Sequence, residues 1–109
     1  MRFRLTFAPT ADRSFSALPR RIQLRFDRAF DDLERDPRRK SGSLDVHQLY
    51  GHQSVWTLRI PPCRGIYAIE GLEVVMIVFG HRDTVYSVLH HLVPPRRQTG
   101  SKAALGRTK

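Results

Sequence analysis

Residues 55–80 spell three strands with almost nothing between them. Val55-Trp56-Thr57-Leu58-Arg59-Ile60 alternates with a period of two. Trp56, Leu58 and Ile60 therefore share one face, and Val55, Thr57 and Arg59 the other. Pro61-Pro62 cannot continue a central strand. A second strand is predicted over residues 64–70, a tight turn at Gly71-Leu72, and a third strand over residues 73–80. The run Val74-Val75-Met76-Ile77-Val78 holds no charge, which suits a central strand covered at least in part on both faces. Connections this short force neighbouring strands to run antiparallel. Everything else in the chain has to pack on this meander.

Upstream, Arg2, Arg4 and Thr6 alternate with Phe3, Leu5 and Phe7, the pattern of a half-buried strand. Pro9-Thr10 ends it, and Thr10 is the predicted cap of a helix with Asp12 in its first turn. Helical character runs over residues 11–36, with a break at Pro19 and a stop at Pro37. Ile22, Phe26, Ala29, Phe30 and Leu33 form its apolar stripe. Residues 44–50 read as a turn or a short strand. A last short helix opens at Asp83 or Thr84 and runs to about residue 92, with Val85, Val88, Leu89 and Leu92 as its stripe. The predicted architecture is α+β: an antiparallel four-stranded sheet in the order β-α-α-β-β-β-α. Two N-terminal helices pack on one face, and a short C-terminal helix follows. A partly open second face is expected to carry Thr57 and Arg59. At 109 residues one domain is expected, spanning 1–93, followed by a basic, disordered tail over 94–109 that lacks apolar periodicity.

Charge narrows the function. Lys and Arg number 19 against 10 acids, for a net charge of +9. Arginine dominates, and Lys40 is the only lysine before the tail. Planar guanidinium groups match phosphate oxygens in pairs, so a polyanionic partner is expected: a nucleic acid or an acidic protein segment. One cysteine, Cys63, excludes an intrachain disulfide and fits a reducing compartment. No run has signal-peptide or membrane-spanning length, so a cytoplasmic protein without a membrane partner is expected. His47 and His52 lack a ligand at metal spacing, and His90 and His91 diverge on a helix, so neither a metal nor a cofactor is predicted.

The residues that could do chemistry cluster where the third strand ends, at Phe79-Gly80-His81-Arg82-Asp83-Thr84-Val85-Tyr86. If the helix begins at Asp83 or Thr84, Arg82 and Tyr86 sit one turn apart and can face the same space. His81 is a further candidate substrate contact, although it leaves the strand on the face opposite Arg82. Arg59 and Arg64 flank Pro61-Pro62, and parity alone leaves open whether they share a face, because the turn could hold a bulge. Arg38-Arg39-Lys40 forms a further basic loop that could touch RNA. RNA can be cut without a metal when its own 2′-hydroxyl attacks the adjacent phosphate. The reaction needs a base, cations around the phosphorane and a proton for the leaving 5′ oxygen. Tyrosine is a poor base at its ordinary pKa near 10, and clustered guanidinium groups favour the phenolate form of such a residue.

The ordered pieces Leu49-Tyr50-Gly51, Val55-Trp56-Thr57-Leu58-Arg59-Ile60, Arg64-Gly65-Ile66-Tyr67, Gly80-His81-Arg82 and Val85-Tyr86 resemble the RelE/ParE superfamily of bacterial type II toxins. The resemblance covers about residues 2–92. It implies a metal-independent mRNA endonuclease that cuts codons in the ribosomal A site and is neutralised by an acidic antitoxin in a hetero-oligomer. It implies that Arg59 and Arg64 stand where RelE binds phosphate, Arg82 at its proposed proton donor and Tyr86 at its proposed base. Thr57 departs from the pattern by replacing a lysine, and the spacing from Arg82 to Tyr86 is shorter than in RelE. Two rival readings remain at this stage: a ParE-like toxin that inhibits DNA gyrase without cutting RNA, and an inactive RNA-binding module.

Overall fold

The computed structural model describes residues 2–39, 44–49 and 54–92, the last four as backbone only. Lys40, Tyr50, Gly51, His52 and the tail over 94–109 lie outside the described residues, as do the side chains of Leu89, His90, His91 and Leu92. The meander stands as expected: β3 (Val55–Ile60), β4 (Cys63–Glu70) and β5 (Glu73–His81) pair antiparallel in sequence order. Pro61 and Pro62, joined by a cis peptide bond, close the first turn. Gly71, at φ 62°, closes the second in a conformation that side chains with a Cβ avoid.

Two strands correct the predicted sheet. β1 (Arg4–Phe7) lies parallel to β5, with Arg4 opposite Glu73 and Phe7 opposite Met76. The short segment β2 (Val46–Gln48) adds to the far edge, antiparallel to β3. The sheet is therefore five-stranded and mixed, in the order β1-β5-β4-β3-β2. No local turn fixes the direction of β1. The chain that leaves it runs through two helices before rejoining the sheet, and a connection of that length permits a parallel neighbour.

Those helices are α1 (Pro9–Ser16) and α2 (Arg20–Arg35), separated at Pro19 as the sequence predicts. Pro9 rather than Thr10 opens α1, where a proline costs nothing because the first helical N–H has no partner to lose. The α2 stripe is buried at Ile22, Phe26, Ala29 and Leu33. It packs on the sheet face that carries Leu58, Ile60, Tyr67, Met76 and Phe79. Phe7, Phe15, Phe26 and Phe30 all meet the Phe79 ring, at centroid distances of 5.0–6.2 Å. Trp56 packs half-buried against the same core.

The second face is less open than predicted. Helix α3 (Arg82–Leu92) folds back over it, and Val85 joins Val55, Ile66 and Val78 in a smaller core. Leu49, Ile77, Tyr86 and Val88 pack around that core. Thr57, expected at the surface, is only 3% exposed. Alternation in β3 reports two faces; it does not report that both are covered.

Two residues test the helix-side core. A Cβ on Gly65 would stand 2.9 Å from the Phe79 ring, so Gly65→Ala should cost about 1–3 kcal/mol by overpacking, measured by urea unfolding. The Tyr67 hydroxyl donates to the Pro37 carbonyl at 2.6 Å in a buried site and ties the end of α2 to the sheet. Tyr67→Phe leaves that carbonyl unpaired and should cost about 1–3 kcal/mol. Burial pushes the Tyr67 phenol well above its ordinary value of 10, with Arg38 pulling it down and Asp36 pushing it up. The folded chain thus keeps this proton where the unfolded chain has released it. Wild-type stability should be full below about pH 10 and fall as pH climbs above it, and Tyr67→Phe should lack that fall.

Candidate functional site

The question left open by parity is settled by register. Arg59 stands directly opposite Arg64, and Thr57 opposite Ile66. Directly opposed residues share a face, so both arginines project on the α3 side of the sheet. The irregularity in the meander lies elsewhere, between Ile66 and Tyr67 on β4, where the pairing with β5 shifts.

Across β4, Arg64 is opposed by Gly80. Gly80 has φ 154°, outside the range that side chains with a Cβ favour, and the chain turns from β5 into α3 two residues later. That turn brings Tyr86 over Arg64. The Arg64 Nη1 donates to the Tyr86 Oη at 3.1 Å, and its guanidinium carbon lies 5.8 Å from the centre of the phenol ring. The pair is half-buried, so solvent reaches it from one side. Arg82 is exposed at the start of α3, one turn before Tyr86.

On the other side of Arg64, the Arg59 backbone N–H donates to the Asp45 carbonyl at 2.9 Å, and Arg59 Nε lies 3.7 Å from Asp45 Oδ2. Asp45 Oδ1 in turn lies 2.9 Å from His47 Nε2. His47 opposes Thr57 and so belongs to the same face. Sequence reading weighed His47 only as a metal ligand and missed its place here. The signal was faint: Asp45-Val46-His47-Gln48 alternates around a buried Val46, but over three residues of strand.

Other predicted residues lie apart. His81 opposes Cys63, a member of the helix-side core, so it leaves the sheet on the face away from Arg64 and is exposed. Cys63 itself is buried, which pushes its thiol up from the ordinary value. Arg38 and Arg39 are exposed beyond α2, in a segment tethered on the helix side through Pro37 and Tyr67. Lys40 lies outside the described residues. Among the described residues no group of three or more His, Cys, Asp or Glu side chains is placed to hold a metal ion, and no helix is long and apolar enough to cross a membrane.

No protein-family model and no curated protein sequence matches the chain. Solved structures do. The RelBE2 toxin–antitoxin complex of Mycobacterium tuberculosis aligns at TM-score 0.63 and 28% identity, over 75% of this chain and all of that one. A mutant RelE toxin of E. coli in the free state aligns at TM-score 0.71 and 17% identity, over 85% of this chain and 99% of that one. The archaeal RelE–RelB complex of Pyrococcus horikoshii aligns at TM-score 0.64 and 22% identity, over 75% and 97%.

The chain has the RelE toxin fold.

Within the RelE fold, the arginine–tyrosine pair depends on how β5 hands over to α3. Gly80→Ala should strain that handover and cost about 1–3 kcal/mol. Hydrogen exchange should report the loss chiefly as faster exchange of α3 amides, with β4 and β5 amides protected nearly as before.

Proposed function

We propose that this protein is the toxin of a type II toxin–antitoxin pair and acts as a ribosome-dependent mRNA endonuclease, without a metal. The observation that carries the reading is the half-buried Arg64–Tyr86 pair, held beside Arg59 on one face of a RelE fold. In this reading the scissile phosphate sits against Arg64 and Arg59, whose guanidinium groups offset the charge that grows on the phosphorane. Tyr86, in its phenolate form, takes the proton of the 2′-hydroxyl. A phenolate at that position lies against a guanidinium, and the hydrogen bond from Arg64 orients its oxygen. Arg82 adds positive charge from the start of α3. The 2′ oxygen bonds to phosphorus as the bond to the 5′ oxygen breaks, leaving a 2′,3′-cyclic phosphate and a 5′-hydroxyl.

Charge supports the partners. A net charge of +9 suits mRNA and ribosomal RNA, and it suits an acidic antitoxin equally well. Three of the similar RelE-fold structures are toxin–antitoxin complexes. Binding of such a partner also stabilises a small domain by mass action.

Induced expression in cells provides the test. The wild type should arrest growth and leave codon-phased breaks in mapped transcripts. Arg64→Ala and Tyr86→Phe should each lower cleavage by about a hundredfold or more and relieve the arrest. Arrest that persists in both variants, with intact mRNA and damaged DNA, would replace this reading with gyrase inhibition.

A further inference from the structure

Cleavage by 2′-hydroxyl attack moves two protons. One leaves the nucleophile, and one must reach the 5′ oxygen. Tyr86 accounts for the first. Arg82, which the family resemblance places at the donor position, is a poor candidate for the second, because a guanidinium holds its proton far above neutral pH. Its contribution is charge. Another group has to protonate the leaving oxygen.

We infer that His47, held by Asp45, is that proton donor; the inference rests on the nuclease reading above. Three observations carry it. First, His47 is on the right face: it opposes Thr57, which neighbours Arg59 along the same side of β3. Among the described histidines it is alone in this, since His81 leaves the sheet on the other face beside Cys63. Second, it is accessible and oriented. Its side chain is 43% exposed, and Nε2 lies 2.9 Å from Asp45 Oδ1 as a charge contact rather than an aligned hydrogen bond, with Nδ1 on the other side of the ring. Asp45 is braced by Arg59 through its other carboxylate oxygen and through the Arg59 backbone N–H. An imidazole is the ordinary side chain for exchanging protons near neutral pH, and a carboxylate on one ring nitrogen fixes how the other is presented.

Third, the order across the sheet matches the geometry of displacement. In-line attack puts the nucleophile and the leaving oxygen on opposite sides of the phosphorus. Tyr86 reaches in from α3 above β5 and β4, Arg64 and Arg59 stand side by side on β4 and β3, and His47 stands on β2. A phosphate bound between the two arginines thus has the phenol on its α3 flank; on its β2 flank Asp45 stands beside Arg59, and the His47 imidazole lies two residues further along the strand. The β4-to-β2 separation is two strand spacings, about 10 Å, and His47 is offset by two residues, about 7 Å, along the strands, so its backbone stands about 12 Å from that of Arg64, a span that side chains reaching inward from both flanks can share around one phosphodiester. In the step inferred, the Tyr86 phenolate takes the 2′-hydroxyl proton, the 2′ oxygen bonds to phosphorus, the bond to the 5′ oxygen breaks, and the protonated His47 gives its Nδ1 proton to that oxygen.

The test uses the full chain with programmed ribosomes and a short mRNA carrying sulfur in place of the bridging 5′ oxygen at the cut site. A thiolate leaves without needing a proton. His47→Gln should cut the ordinary mRNA about a hundredfold more slowly than wild type. It should cut the sulfur-bridged mRNA at close to the wild-type rate. Asp45→Asn should show the same pattern more weakly, and Arg64→Ala should be slow on both substrates. Equal loss on both substrates in His47→Gln, or no loss on either, would overturn the role of His47 while leaving the nuclease reading intact. Failure of the wild type to cut either mRNA would overturn the nuclease reading, and this inference with it.

Discussion

One cross-strand pair, Arg59 opposite Arg64, organises the site. The connection between their strands is two residues long, and its register decides which face of the sheet receives both guanidinium groups. A slip of one residue would turn one of the two arginines toward the phenylalanine-rich core under the helices, and were it Arg64 the bond to Tyr86 would go with it. The two faces are thereby given different work. The α1–α2 face holds the large core around Phe79, Tyr67 and Phe26. The α3 face holds a small core of Val55, Ile66, Val78 and Val85, with the polar groups gathered at the end of the sheet where β3 turns into β4 and β5 turns into α3.

Placing those polar groups on a stiff base has a physical consequence. Arg64 sits on a strand with a neighbour on each side, and Arg59 on the strand beside it, so neither backbone moves independently. Tyr86 is held by a helix whose first turn grows directly out of β5. Catalysis by charge needs groups that are already aimed, because reorienting them during the reaction would consume the stabilisation they provide. The sheet supplies that aim for the arginines. The small apolar core under α3 supplies it for the phenol.

Much of this was legible in the sequence. The meander, the break at Pro19, the α2 stripe and the one-turn spacing of Arg82 and Tyr86 follow from local patterns of two and 3.6 residues, and those patterns survive folding. What was not legible depends on partners distant in sequence. Alternation in residues 2–7 announces a strand but cannot choose its neighbour, so the parallel docking of β1 on β5 was invisible. Thr57 alternates like a surface residue and is buried all the same, on a face whose small core draws residues from β3, β4, β5 and α3 together. Asp45 and His47 belong to a strand of three residues, too short for a period to declare itself, and they gain meaning only from Arg59 across the ladder. The hairpin lay between these cases: the residues that flank it were plain, and their shared face was not.

The central claim is that Arg64 and Tyr86 act as one unit on one phosphate, and a double-mutant cycle measures that directly. Cleavage rates of programmed ribosomes would be compared for the wild type, Arg64→Ala, Tyr86→Phe and the double variant. If the two side chains work together, the double variant should be hardly slower than the worse single one. Losses that multiply, as for two residues acting independently, would contradict the account.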